Sequence, residues 1–227
     1  VSFKTSADFP KLSTIFLIQS LAMLVGMVVL SLVLSWFFQI TPFSRIHLRW
    51  EDFLIGAAVA PVLLLVASRV KDPCDQAQKV LGPILVDLSW WNMLVLAAAV
   101  GFTEELLFRG VLEPLLGRSN WIVGLVLGNL IFGLAHALSM QYALVAGLLG
   151  VTLSLLTYGP GGENLFRAIV THAVYDFLAF LWIAGRAQRE LPFSKRRESE
   201  TSSSEYSSDC SWGDSPDFPV DASSSGE

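Results

Sequence analysis

Stretches of roughly 18 or more nearly uncharged apolar residues recur along this 227-residue chain, and no other feature limits its possible folds as strongly. Six segments stand out, at about 13–38, 53–70, 92–117, 121–138, 142–157 and 165–184. One such segment could be a buried core helix, but six imply an integral, multi-pass membrane protein. The fold class is therefore all-α, a polytopic transmembrane helical bundle of about six spans. Segment 142–157 is the marginal one, since its 16 residues cover only about 24 Å of a hydrocarbon core of about 30 Å. Trp36, Trp90, Trp91, Trp121 and Trp182 lie at the ends of apolar segments, where aromatic belts are expected.

Apolar residues make up 53% of the chain and charged ones 15%, which excludes an ordinary soluble domain. The formal charge of −5 is set by residues 198–227, which hold eight acids, eleven Ser and no Lys or Arg. Elsewhere fifteen basic residues face twelve acids, too small an excess to suggest a nucleic-acid partner. Such a tail buries too little apolar surface to offset its chain entropy and is expected to be disordered. The expected division is an N-terminal transmembrane region 1–91, a core 92–184, and a basic then acidic Ser-rich tail 185–227. With Arg109 set aside as lying inside a span, Lys and Arg divide ten against four between alternate sides, which puts both termini on the cytoplasm-like side. Cys74 and Cys210 suggest neither a disulfide framework nor a metal motif. The chain opens Val1-Ser2-Phe3 without Met, as a fragment or a processed form would.

Ionisable groups inside apolar spans are costly, about 2.5–3.5 kcal/mol each at a helix centre on insertion scales, so they mark where chemistry is expected. The third segment contains Glu104-Glu105-x-x-x-Arg109, the fourth Phe132-x-x-x-His136, and the sixth His172-x-x-x-Asp176. Glu105 and Arg109, four apart, share a helix face and can pair, whereas Glu104 is turned by about 100° and stays free of that arginine. Glu104 is therefore the candidate general base. Asp176, four residues after His172, could orient the imidazole, share a metal with it or bond the substrate. Glu113, just before Pro114, reads as interfacial and structural, and Asn129, on the face of His136, as a packing hydrogen bond. A buried structural ion pair for Glu105 with Arg109 and a core role for either histidine are the plain alternatives.

Together the three motifs resemble those of the CAAX prenyl protease type II and bacteriocin-processing family, also called CPBP or Abi, of intramembrane proteases. The resemblance covers roughly residues 92–184 and implies a helical bundle with a polar site inside the bilayer. It implies an intramembrane endopeptidase that hydrolyses membrane-associated or prenylated CAAX-type substrates with an activated water. On it, Glu104 activates water with His136, Glu105 and Arg109 brace the site beside Phe132, and His172 and Asp176 stabilise the oxyanion and position the carbonyl. Asp176 stands where prenyl-processing members usually carry Asn, and an aspartate donates a hydrogen bond only when protonated. No cofactor is required, although zinc held through His136 and His172 fits the metalloprotease grouping of the family. The expected partners are the bilayer and a membrane protein or prenylated peptide. The serine-rich tail and the missing start favour a plastid membrane, with the endoplasmic reticulum as the alternative.

Two other classes compete. A catalytically silent scaffold or chaperone could use the same buried cluster to hold a membrane protein, and a transporter could use it as a proton relay. Intact Glu104, His136 and His172 favour the enzyme over the scaffold, and no inverted pair of broken segments supports the transporter. Aspartyl and serine intramembrane proteases lack their motifs here, since there is no G-x-G-D or G-x-S-x-G run.

Overall fold

The computed structural model describes residues 12–159 and 161–190, and the basic residues Lys4, Lys11 and 195–197, Cys210 and the Ser-rich segment lie outside that range. The described residues are helical throughout, with no strand. The helices are α1 (Leu12–Phe38), α2 (Trp50–Ala67), α3 (Lys71–Leu85), α4 (Trp90–Leu107), α5 (Glu113–Leu116), α6 (Trp121–Ala135), α7 (Met140–Thr157) and α8 (Leu165–Glu190). A 3-10 turn (Pro42–Arg45) precedes α2, and a π turn (Phe108–Leu112) joins α4 to α5.

The bundle is organised around α8, which packs on α4, α2 and α3, while α6 and α7 form a hairpin and α1 lies against α4. α1, α2, α7 and α8 are long and apolar enough to cross a membrane. α1 turns Leu21, Val25, Val29, Leu32 and Trp36 outward, and α2 does the same with Leu54, Val62 and Leu65. Outward apolar belts on two helices need an apolar solvent, so the protein is an integral membrane protein.

Two segments differ from the sequence expectation. Segment 142–157 forms a helix that starts at Met140, because the Ser139 hydroxyl caps it by accepting from Tyr142 N at 3.2 Å, and its 18 residues suffice to cross. The short helix is instead α6, 15 residues or about 22 Å, which stops before His136. There the backbone tightens to a three-residue bond, His136 N donating to Gly133 O, and the imidazole Nδ1 takes the Phe132 carbonyl at 2.8 Å. His136 therefore sits at a helix end rather than inside a span. α3 also escaped the apolar pattern. Its low overall hydropathy hides one apolar stripe, Pro73, Ala77 and Leu85, packed toward α7 and α8.

The π turn has a local cause. Pro114 has no N–H for the Gly110 carbonyl four residues earlier, and its ring crowds that carbonyl, so the helix widens by a residue. Arg45 Nη1 collects the released oxygens, at 2.7 Å from Arg109 O and 3.4 Å from Gly110 O.

α4 and α8 meet at Gly101, where a Cβ would lie 2.7 Å from the Ala173 backbone nitrogen. Gly101→Val forces the two motif-bearing helices apart and is expected to cost at least about 1–3 kcal/mol, the usual range for overpacking. Thermal unfolding in detergent measures this, and a variant as stable as the parent would show that the contact yields freely.

Candidate active site

All seven sequence-predicted site residues converge at the meeting of α4, α6 and α8. Glu105 is fully buried and its Oε1 accepts two hydrogen bonds, from Arg109 Nη1 at 2.9 Å and from His172 Nδ1 at 2.7 Å. The i,i+4 pair forms as the spacing required, and it also does what Asp176 was a candidate to do, fixing the orientation of His172. Asp176 Oδ2 lies on the other side of that ring, 3.5 Å from Nε2.

Arg109 holds the site together. Its Nη2 donates to Asn129 Oδ1 at 3.0 Å and to Gly150 O at 2.8 Å, and its guanidinium stacks over the Phe132 ring at 4.4 Å. Phe132 also contacts the His136 ring, with centroids 4.4 Å apart, and meets His172 edge-on. It is thus the spacer between cation and imidazoles. From Asn129 the network continues through Nδ2 to Ser154 Oγ at 2.9 Å, and Ser154 donates to Glu113 Oε2 at 2.7 Å. Glu113 is buried and held by Ser154, the structural role expected of it.

Glu104 is treated differently from its neighbour. It is 5% exposed, its Oε2 has no hydrogen-bond partner among the described residues, and it lies 3.4 Å from His136 Nε2 and 3.8 Å from His172 Nε2. Both imidazoles have Nδ1 committed to an oxygen, so both turn Nε2 toward this one carboxylate. Outward from the imidazoles opens a cavity of about 310 Å³. His136, His172 and Asp176 line its polar end, and Met23, Leu64, Ala77 and Leu149 are among the apolar residues along its walls.

His136 and His172 are the residues expected to hold zinc, if a metal is bound. His136 and His172 face Glu104, yet among the described residues no group of three or more His, Cys, Asp or Glu is placed to hold a metal ion.

A second buried polar cluster was missed in the sequence. Arg167, fully buried, pairs through Nε with Asp52 Oδ1 at 2.6 Å, and Asn164 Nδ2 bonds Asp52 Oδ2 at 2.6 Å and His47 O at 2.7 Å. It ties the start of α2 to the start of α8. Asp52 just precedes segment 53–70, and Arg167, near the start of segment 165–184, is one of the four cations on the minority side of the charge division. Nothing in its spacing to Asp52, 115 residues away, announces the pair.

The family comparison agrees with this geometry. The model for the type II CAAX prenyl endopeptidase Rce1-like family matches residues 86–178. Over those residues the chain is similar to the Rce1-like family. No curated protein and no solved structure matches the chain. The Rce1-like region contains Glu104, Glu105, Arg109, Phe132, His136, His172 and Asp176, and bears out the resemblance drawn from the three motifs. α1, α2 and the Asp52 side of the second cluster fall outside it.

Removing one partner of a buried ion pair strands the other, at a cost of about 3–5 kcal/mol. Arg109→Met is therefore expected to lower stability by that order. Arg109→Lys should fall between, because an ammonium keeps the charge but cannot serve Glu105, Asn129 and Gly150 from one planar fork. Chemical denaturation in detergent ranks the three proteins, and equal stability of Arg109→Met and wild type would contradict the assignment.

Proposed function

We propose that the protein is an intramembrane endopeptidase that cleaves membrane-associated or prenylated CAAX-type proteins by water attack, with Glu104 as general base. The observation that carries this reading is the buried Glu104 Oε2, without a hydrogen-bond partner, facing two imidazole Nε2 atoms beside an apolar cavity. A carboxylate so placed accepts a proton from a water entering between the imidazoles, and His136 Nε2 orients that water by accepting its second hydrogen. The attacking oxygen bonds to the scissile carbonyl carbon, the proton passes to Glu104, and collapse of the tetrahedral intermediate returns it to the leaving amine. His172 is held in register by Glu105 and Arg109 and lies beside the carbonyl. The cavity supports the substrate class, because its apolar walls suit a lipidated or transmembrane segment and its polar end a peptide bond. In the same reading the protein resides in a plastid membrane, a placement supported by the composition after Arg197 and overturned by imaging the tagged precursor at the endoplasmic reticulum.

The deciding experiment reconstitutes purified protein in liposomes with a prenylated CAAX peptide and, separately, with membrane proteins from a knockout, and identifies new carboxyl termini by mass spectrometry. Wild type should cleave. Glu104→Gln, which keeps shape but loses the base, should lower the rate by about 10²–10⁴, and His136→Ala should lower it strongly as well. Correctly folded wild type that cleaves nothing, with full rescue of the knockout by Glu104→Gln, would replace the enzyme by a membrane-protein scaffold.

A further inference from the structure

Arg45 ends the 3-10 turn before α2 and lies outside the Rce1-like region, yet its guanidinium reaches both backbones that frame the site. Nη1 donates to Arg109 O at 2.7 Å and to Gly110 O at 3.4 Å, both on the π turn. Nε pairs with Glu163 Oε1, and Nη2 donates to the Tyr158 hydroxyl at 3.2 Å, both on the connection from α7 to α8.

Each of these segments delivers one partner of the same contact in the site. The π turn carries Arg109, whose Nη1 holds Glu105 Oε1 at 2.9 Å. The connection ends at Asn164, whose Oδ1 accepts from Phe166 N at 3.0 Å and caps the start of α8, and His172 follows two turns along that helix. Glu105 Oε1 and His172 Nδ1 then meet at 2.7 Å. Arg45 therefore clasps at the backbone what that hydrogen bond joins at the side chains.

Neither backbone is regular at this point. Pro114 offers the Gly110 carbonyl no N–H, and the connection passes through Gly161 and Gly162 at φ 84° and 97°. The Arg45 side chain is 15% exposed against 41% for Glu163, so the clasp is wet at its carboxylate end and shielded toward the π turn. Arg45, Tyr158 and Glu163 do not line the cavity, so none of them is placed to touch a substrate seated there.

We propose that Arg45 is a positioning residue for the hydrolytic reaction, holding the π turn to the α7–α8 connection so that Glu105 keeps His172 Nε2 directed at Glu104. The proposal rests on the hydrolytic reading of the site and names a residue outside the three motifs and outside the family match. Arg45 transfers no proton and acts only through the place where His172 stands. Misplacing a reacting group by about 1 Å can cost about 10²-fold in rate, so a clasp remote from the cavity still controls turnover.

The test measures kcat and KM separately in liposomes for wild type, Arg45→Met, Arg45→Lys, Glu163→Gln, the Arg45→Met/Glu163→Gln double variant and Arg118→Met. It also records the imidazole nitrogen resonances of the chain's three histidines by NMR. Arg118 is the control, an arginine that binds a backbone oxygen, Phe38 O, and makes no hydrogen bond to the π turn or α8 among the described residues. Arg45→Met should lose between about tenfold and 100-fold in kcat, with KM within about threefold, and should move the His172 Nδ1 resonance. A lysine reaches only part of the set from one ammonium, so Arg45→Lys should lose less and move the same resonance the same way. It stands in if thermal unfolding shows that Arg45→Met does not fold. Glu163→Gln should lose less than Arg45→Met, because Nη1 still holds the carbonyls, and the double variant should be no slower than Arg45→Met alone. Arg118→Met removes an exposed contact and should stay within about threefold of wild type. An unchanged kcat in folded Arg45→Met, or in Arg45→Lys where it stands in, overturns the Arg45 role alone. So does a rise in KM in place of the fall in kcat, a lowered kcat with the His172 resonance unmoved, additive losses in the double variant, or an equal loss in Arg118→Met. Wild type without cleavage on any substrate overturns the hydrolytic reading and the proposal with it.

Discussion

The Glu105–Arg109 pair is the interaction on which the rest of the site depends. Two opposite charges at 0% and 1% exposure give up hydration that Coulomb attraction alone rarely repays, so a bare pair would be a poor stabiliser. What makes this one tolerable is completeness on the cation side. Arg109 reaches Glu105, Asn129 and Gly150 O and lies over the Phe132 ring, which engages α4, α6 and α7 from the π turn that carries it. The shared Glu105 Oε1 then recruits His172 from α8. Four helices are thereby registered to one guanidinium, a more exact device than apolar packing in a lipid-facing bundle, where side chains gain little by leaving one apolar phase for another.

The same logic accounts for the irregular backbone. A straight helix through Pro114 would leave the Gly110 carbonyl unsatisfied and crowded. The π turn relieves the clash, and Arg45 satisfies the freed oxygens from the turn before α2. Gly110 lacks the Cβ that would press on Pro42, which allows this approach. The side chains of Arg109 and Glu113 then emerge on either side of the widened turn. One points to Asn129 and the other to Ser154, themselves joined by a hydrogen bond. A π turn at this position is thus a consequence of sequence that places two charged groups into one network.

Much of this was legible because helical periodicity acts locally. Glu105 with Arg109, and His172 with Asp176, are four residues apart, and that spacing alone puts each couple on one face. The 100° turn between Glu104 and Glu105 likewise separates a braced carboxylate from a free one. Periodicity says nothing about which helix lies opposite. That Glu105 rather than Asp176 takes His172 Nδ1, that Asp52 meets Arg167, and that α3 walls the cavity all follow from packing between segments far apart in sequence. The helix boundaries failed where capping outweighed hydropathy. Ser139 started α7 early, and the His136 ring ended α6 by taking the carbonyl of Phe132. Hydropathy averages cannot register either event, since each turns on one polar atom.

The contrast between the adjacent glutamates carries the chemistry. Glu105 Oε2 is also without a partner, yet its other oxygen accepts two charge-assisted bonds, so the group is held and its charge is answered. Glu104 accepts no hydrogen bond among the described residues and meets only two imidazole nitrogens at 3.4 and 3.8 Å. An unsatisfied buried carboxylate costs far more than the packing of any one residue gains. Asp52 is answered by Arg167 and Asn164 and Glu113 by Ser154, whereas the unpartnered Glu104 oxygen faces two imidazoles beside the cavity. In the proposed hydrolytic reading, a water held between the imidazoles completes the set, and the apolar cavity in front of it selects which peptide bonds reach that water.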